Sequence, residues 1–201
     1  MTLPLRLKAE NIACERGGRL VFSNLSFTLS SGEMLELRGA NGSGKSSLLR
    51  LLAGLNTPTA GSISLENGEP SASLAEQAHY IGHADANKPA LTVAENLEFW
   101  TAFLGGTQSP LSSFNLETLA DDQALLLSAG QKRRLALARL HCAERPVWLL
   151  DEPDVGLDSA ARLILQNQIT RHLETGGMVL AATHTDLGFK TARTLQLGTV
   201  Q

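Results

Sequence analysis

The sequence predicts an α/β domain, and three observations predict it. Short apolar segments of strand length alternate with segments of helix length. A glycine-rich, lysine-bearing loop sits at a strand-to-helix junction. The chain has 201 residues, 43% of them hydrophobic, which suits one globular core. In order, Leu5–Ala9, Leu25–Leu29 and Met34–Leu37 read as strands. Lys45–Ala53 reads as a helix stopped by Gly54 and then Pro58. Ser62–Leu65 and His79–Gly82 are again strand-like. Between Ala84 and Leu127 the texture changes, with helical spacing over Ala94–Leu104 and a Gly-Gly-Thr-Gln-Ser-Pro loop at 105–110. A small helical insertion over about 84–140 is therefore expected inside a single domain spanning 1–201. Helix Gln131–Ala143, strand Val147–Leu150, helix Ser159–Thr175 and strand Met178–Thr183 complete the pattern. In the Ser159 helix, Leu165, Ile169 and Leu173 form one apolar stripe.

Composition excludes several classes. The apolar fraction removes a disordered chain, and no apolar run approaches the ~18–20 residues that span a bilayer. The longest, Met178–Ala182 and Val147–Leu150, have strand length. A net charge of −3 argues against nucleic acid as a partner, because phosphate neutralisation needs clustered cations in excess. Charge at Arg6 and Lys8 interrupts the N-terminus before an apolar core develops, unlike a secretory signal. Cys14 and Cys142 have neither CxxC nor metal-ligand spacing and read as reduced thiols of a cytosolic protein.

The chemistry begins at Gly39-Ala40-Asn41-Gly42-Ser43-Gly44-Lys45-Ser46, followed by Ser47. Glycines let such a loop wrap closely, so that its N–H groups and the following helix N-terminus converge on phosphate oxygens. Lys45 adds a point charge at the β- and γ-phosphates, and the Ser46 hydroxyl suits Mg²⁺. Next, the apolar strand Val147–Leu150 ends in Asp151-Glu152. That places carboxylates at the C-terminal edge of a sheet, where nucleotides bind in open α/β folds. Asp151 is expected on the Mg²⁺ hydration shell. Glu152, pointing the other way, is expected to polarise an attacking water as general base.

The third element is Leu127-Ser128-Ala129-Gly130-Gln131, ahead of a helix beginning Lys132-Arg133-Arg134. A serine and a flexible glycine at a helix N-terminus make a second anion site. One chain has no use for two such different γ-phosphate sites. Two chains facing head to tail do, each nucleotide lying between one chain's Lys45 loop and the other's Ser128 segment. Lys132–Arg134 reads most simply as a solvated helix face.

These motifs, with Gly156-Leu157-Asp158 and Thr183-His184 in the same order, resemble the ATP-binding cassette ATPases over about residues 5–197. The resemblance implies a phosphate-loop NTPase core with a β-rich N-terminal subdomain and a small helical subdomain, using ATP and Mg²⁺. It further implies that Asp158 lies at the dimer interface. His184 is implied to contact the γ-phosphate and hold the catalytic geometry. Two positions depart from the general pattern. Where the family carries a Gln touching Mg²⁺ and water, this chain has His83, a different ligand from an amide oxygen. Where an aromatic usually packs on adenine, the alignment puts Arg16, whose guanidinium plane can also stack on a ring; an exposed turn arginine is the other reading.

Cys14-Glu15-Arg16, Ile81-Gly82-His83, the stretch 88–97 and the stretch 127–140 are similar to the ATP-binding subunit of bacterial cytochrome c biogenesis, or heme exporter, systems. This implies a peripheral ATPase on the cytoplasmic face of the inner membrane that energises multi-spanning subunits. Its work is heme export or ATP-driven release of a heme-loaded chaperone. The alternative is the ATPase subunit of a transporter for another solute. A heme-binding module using His79, His83, His141 or His172 lacks a Cys-x-x-Cys-His attachment site. A cassette acting on ribosomes or DNA usually carries a second cassette or a long coiled-coil insertion, and this sequence shows neither.

Overall fold

The computed structural model describes residues 3–107 and 109–198, and its strands divide between two sheets. Strands β1 (Arg6–Arg16), β2 (Arg19–Ser30) and β4 (Ala60–Glu66) form an antiparallel sheet in the order β2-β1-β4. The second sheet is parallel throughout, in the order β5-β6-β7-β3-β8, from β3 (Met34–Arg38), β5 (Ala78–Ile81), β6 (Val147–Asp151), β7 (Met178–Ala182) and β8 (Arg193–Gln196). Helix α1 (Lys45–Leu52) follows β3; α2 (Val93–Leu104) and α3 (Ala129–Ala138) lie between β5 and β6; α4 (Ser159–Glu174) joins β6 to β7.

The central strands β6 and β7 are buried at every position. That is why they read as unbroken apolar runs, since a parallel sheet is covered on both faces. Along β6, Val147 and Leu149 face a core shared with α1 and the antiparallel sheet, including Leu7, Ile12, Leu48 and Leu52. Trp148 and Leu150 face the opposite core, built with Leu97 of α2, Leu135 of α3, and Leu165 and Ile169 of α4. Period-two alternation thus joins the two layers through one strand.

The antiparallel strands are longer than the sequence suggests. Expected at Leu5–Ala9, β1 runs on to Arg16, and β2 begins at Arg19 instead of Leu25. The polar residues Glu10, Glu15 and Arg16 are exposed on a one-sided sheet and hide the strand pattern. Gly17 and Gly18, at φ +57° and +75°, make the two-residue hairpin turn that pairs Arg16 with Arg19. Arg16 is therefore a strand residue rather than a turn residue. Strand β8 is absent from the sequence-based expectation, because Arg-Thr-Leu-Gln carries one apolar residue and forms an edge beside β3. The helix expected over Gln131–Ala143 is α-helical only to Ala138 and continues as a 3-10 turn, Arg139–His141.

The segment between β5 and β6 holds α2, α3 and 3-10 turns at Leu111–Phe114, Glu117–Leu119 and Ala124–Leu126. Thr92 and Glu95 form a reciprocal capping box at the start of α2. The fully buried Asn96 side chain bonds Lys88 N–H and the carbonyls of Lys88, Leu91 and Thr92, fixing the approach to α2.

Three histidines serve packing. The His79 ring bonds Ala143 O at 2.8 Å, and His172 stacks on Trp148 at 3.9 Å between centroids, with His141 against the edge of the same indole. Burial holds the imidazoles of His79 and His172 down at about 4, and lowers His141 as well. Unfolded histidine titrates near 6.5, so below that pH the unfolded chain gains protons that the native chain refuses. Stability from these groups is complete above pH 6.5 and is lost as pH falls toward 4. The loss is at most about 3 kcal/mol for each of His79 and His172. Urea midpoints are expected to hold from pH 8 to 7 and to drop from pH 6.5 to 4.5; a midpoint flat across the lower window would contradict this.

Candidate active site

Because β3, β5, β6 and β7 are parallel, the loops after all four leave the same sheet edge. That edge collects Gly39–Lys45, Gly82-His83, Asp151-Glu152 and Thr183-His184.

The loop after β3 depends on its glycines. Gly39 sits at φ +149°, where a Cβ would collide with Leu197 O and stand 2.7 Å from Ser43 Oγ. A Cβ on Gly44, at φ +102°, would stand 2.7 Å from Val21 Cγ1. Those close approaches set the loop against Val21 of β2 and Leu197 just past β8, while Ala40, Asn41 and Gly42 remain exposed. Lys45 is 7% exposed, and its Nζ donates to Gly39 O at 2.7 Å and Ala40 O at 3.1 Å. Its ammonium is therefore held within the loop, at the N-terminus of α1 beside Ser46 and the buried Ser47. Ser43 Oγ is buried without a protein partner among the described residues.

Ser46 Oγ donates to Asp151 Oδ1 at 3.1 Å. Asp151 is 2% exposed, and its Oδ2 is buried with no protein partner among the described residues. An orphaned carboxylate oxygen beside a serine hydroxyl fits Mg²⁺, which characteristically takes one or two protein ligands with water and phosphate oxygens.

Glu152 leaves the strand end in a left-handed conformation, φ +50°, with its N–H donating to Ala182 O at 2.8 Å. This backbone is uncommon for a residue with a side chain. Its carboxylate engages different neighbours from that of Asp151: Oε1 is 3.4 Å from His184 Nε2, and Oε2 is 3.9 Å from His83 Nδ1. His83 is 75% exposed in its side chain, and its contact across the site is this one with Glu152.

Other expected positions lie off this centre. Ser128 and Ala129 are exposed. Ser128 caps α3, its Oγ accepting Gln131 N–H while Gln131 Oε1 accepts Ser128 N–H. A Cβ on Gly130 would stand 2.9 Å from Gly156 O, so this segment adjoins Gly156-Leu157-Asp158. Asp158 caps α4 by accepting Ala161 N–H at 2.8 Å. No hydrogen bond joins Ser128–Gln131 to Gly39–Ser46 among the described residues. Arg16 is exposed at the hairpin tip, near Val21 and Phe22, which pack on Gly44.

Arg133 corrects the expectation of a solvated Lys132–Arg134 face. It is 5% exposed, and its guanidinium donates to Gly82 O (2.8 Å), Asp85 Oδ1 (3.0 Å), Asp151 O (2.8 Å), Glu152 O (2.7 Å) and Pro153 O (3.3 Å). The signal was positional: Arg133, Leu137 and Leu140 follow the i, i+4, i+7 stripe of a buried face. Lys132 reaches Leu125 O, and Arg134 reaches Phe114 O and Asn115 O. Asp154, also unanticipated, is buried and accepts from Thr185 Oγ1 at 2.5 Å, tying the turn after Glu152 to the loop that carries His184.

A family model described as ABC transporter matches residues 22–155. Curated relatives bearing the name cytochrome c biogenesis ATP-binding export protein CcmA cover nearly the whole chain. The one from Nitrobacter winogradskyi is 52% identical, covering 96% of this chain and 98% of its own. That from Bradyrhizobium diazoefficiens is 48% identical over 98% and 100%. Among solved structures, an ATP-binding subunit of an ABC transporter superposes with a TM-score of 0.84 at 23% identity, covering 96% of this chain and 85% of its own. A dimeric ATP-binding cassette in a post-hydrolysis state, bound to ADP and Pi, gives 0.79 at 24%, covering 96% and 94%.

Proposed function

This chain belongs to the ABC transporter ATPases, and from that premise we propose that it is the energy-coupling subunit of a transporter complex for c-type cytochrome biogenesis. The names of its relatives favour this reading over a transporter for another solute. The observation that carries the mechanism is the division of labour at one sheet edge. Lys45 is held in the glycine loop by Gly39 O and Ala40 O, Ser46 pairs with Asp151, and Glu152 stands apart with His184.

ATP lies in the Gly39–Ser47 loop, with Arg16 at the hairpin tip beside the base. The Ser46 hydroxyl and, through water, the Asp151 carboxylate would hold Mg²⁺, which would neutralise charge developing on the β- and γ-phosphates. Glu152 accepts the proton of the attacking water, and His184 orients that carboxylate while contacting the γ-phosphate. His83 borders the other carboxylate oxygen. The Ser128–Gln131 segment presents its helix N-terminus to the nucleotide of a second copy, so the working unit is a head-to-tail dimer with Asp158 at its interface. A solved cassette of the same fold is dimeric in its post-hydrolysis state.

No helix among the described residues is long and apolar enough to cross a membrane. The export-protein name of its relatives supports placing the chain with multi-spanning partners, peripherally at the cytoplasmic face of the inner membrane, in heme export or release of a heme-loaded chaperone. The test is purification of tagged Glu152→Gln from membranes with and without Mg-ATP, identifying what accompanies it. Multi-spanning proteins together with a heme chaperone are expected. A solute permease in their place would keep the ATP site and overturn the cytochrome c assignment.

A further inference from the structure

Three consecutive carbonyls, those of Asp151, Glu152 and Pro153, accept from one buried guanidinium. The middle residue has φ +50°, a backbone that a side-chain-bearing residue keeps when its surroundings over-determine it. Two anchors are visible. The Glu152 N–H donates to Ala182 O on β7, and Arg133 binds the carbonyls on either side and that of Glu152 itself. The same guanidinium reaches Gly82 O and Asp85, bracketing His83 in the loop after β5. All five of its N–H donors are engaged, and its one acidic partner, Asp85, sits at the loop end of the array.

We propose that Arg133 is the positioning residue for Glu152. By gathering the Asp151–Pro153 carbonyls and the 82–85 loop, it holds the Glu152 carboxylate between His184 and His83. Arg133 touches neither nucleotide nor the reacting atoms, and acts through the backbone of the residue that does. The function is specific to a planar fork. A lysine ammonium is a point charge with three donors and cannot serve carbonyls lying along both edges of a guanidinium. Arg133 sits five residues after Ser128, so the helix that faces the second copy's nucleotide is the one that sets this chain's own Glu152. The proposal rests on the reading of Glu152 as general base.

The test is steady-state ATPase kinetics of the full chain with Mg-ATP. Rates are normalised to the fraction of chains that bind a fluorescent ATP analogue, so that a loss of folded protein is not counted as lost catalysis. Arg133→Lys is expected to lower kcat by roughly 10–100-fold, the scale of a misplaced catalytic group, with KM and analogue binding within about twofold of wild type. Arg133→Ala is expected to regain part of its kcat in added guanidinium; if that variant does not fold, Arg133→Lys decides alone. Wild-type kcat in Arg133→Lys overturns the proposal, as does a loss of nucleotide binding in proportion to the loss of rate. Glu152→Gln assayed in parallel separates the two claims. Its inactivity beside a fully active Arg133→Lys removes the positioning role alone, whereas a fully active Glu152→Gln removes the general base and the proposal with it.

Discussion

Glu152→Gln is expected to bind Mg-ATP at least as tightly as the wild type and to hydrolyse it about 10²–10⁴-fold more slowly, the range for loss of a general base. The substitution keeps the shape of the side chain and asks nothing new of the backbone, since φ is already +50° and the N–H to Ala182 bond is unchanged. Only basicity and one negative charge are lost. An amide oxygen still accepts a hydrogen bond from His184, but it does not take a proton from water. Removing an anion beside the γ-phosphate favours nucleotide binding, so the closed two-chain sandwich persists when hydrolysis stops. Phosphate release and size-exclusion chromatography with Mg-ATP check both halves. Turnover at the wild-type rate would mean that another group activates the water, and the Glu152–His184 contact at 3.4 Å would then be only structural.

The parts of this site legible in the sequence are those whose chemistry is tied to local backbone. The Gly39–Ser46 loop declares itself because its conformation needs glycine where a Cβ would strike Leu197 or Val21. Asp151 and Glu152 declare themselves because an apolar strand must end somewhere, and acids at that end stand at the sheet edge. Arg133 did not, because its partners come from residues 82–85 and 151–153; its place on the stripe with Leu137 and Leu140 marks it as buried but not what it binds. The same reasoning covers the fold. Strands β6 and β7, buried on both faces, were plain, whereas β8 is held by β3 through backbone bonds that its Arg-Thr-Leu-Gln composition does not advertise. The outer antiparallel sheet falls between these cases, with its buried half readable and its solvated half, out to Arg16, reading as loop.

Lys45→Ala separates binding from chemistry in the opposite sense. Hydrolysis is expected to fall to background, beyond the 10²–10³-fold typical of losing one oxyanion donor, because a full charge at the β- and γ-phosphates disappears. ATP affinity falls with it, and ATP-dependent dimerisation, which Glu152→Gln retains, is lost. The fold is expected to survive. Lys45 makes its hydrogen bonds to Gly39 O and Ala40 O, carbonyls of a half-buried and an exposed residue that water can solvate in its place. Alanine is also the better helix former at the first position of α1. The thermal midpoint should therefore stay within a few degrees of wild type while nucleotide binding collapses. A large drop in midpoint would instead make Lys45 a structural pin of its own loop, and the lost activity would carry no information about phosphate. Wild-type hydrolysis would remove the Gly39–Ser46 loop from the site altogether. The two variants are thus expected to locate the steps in order: without the Lys45 ammonium the proposed sandwich should not close, and without the Glu152 carboxylate it should not reopen.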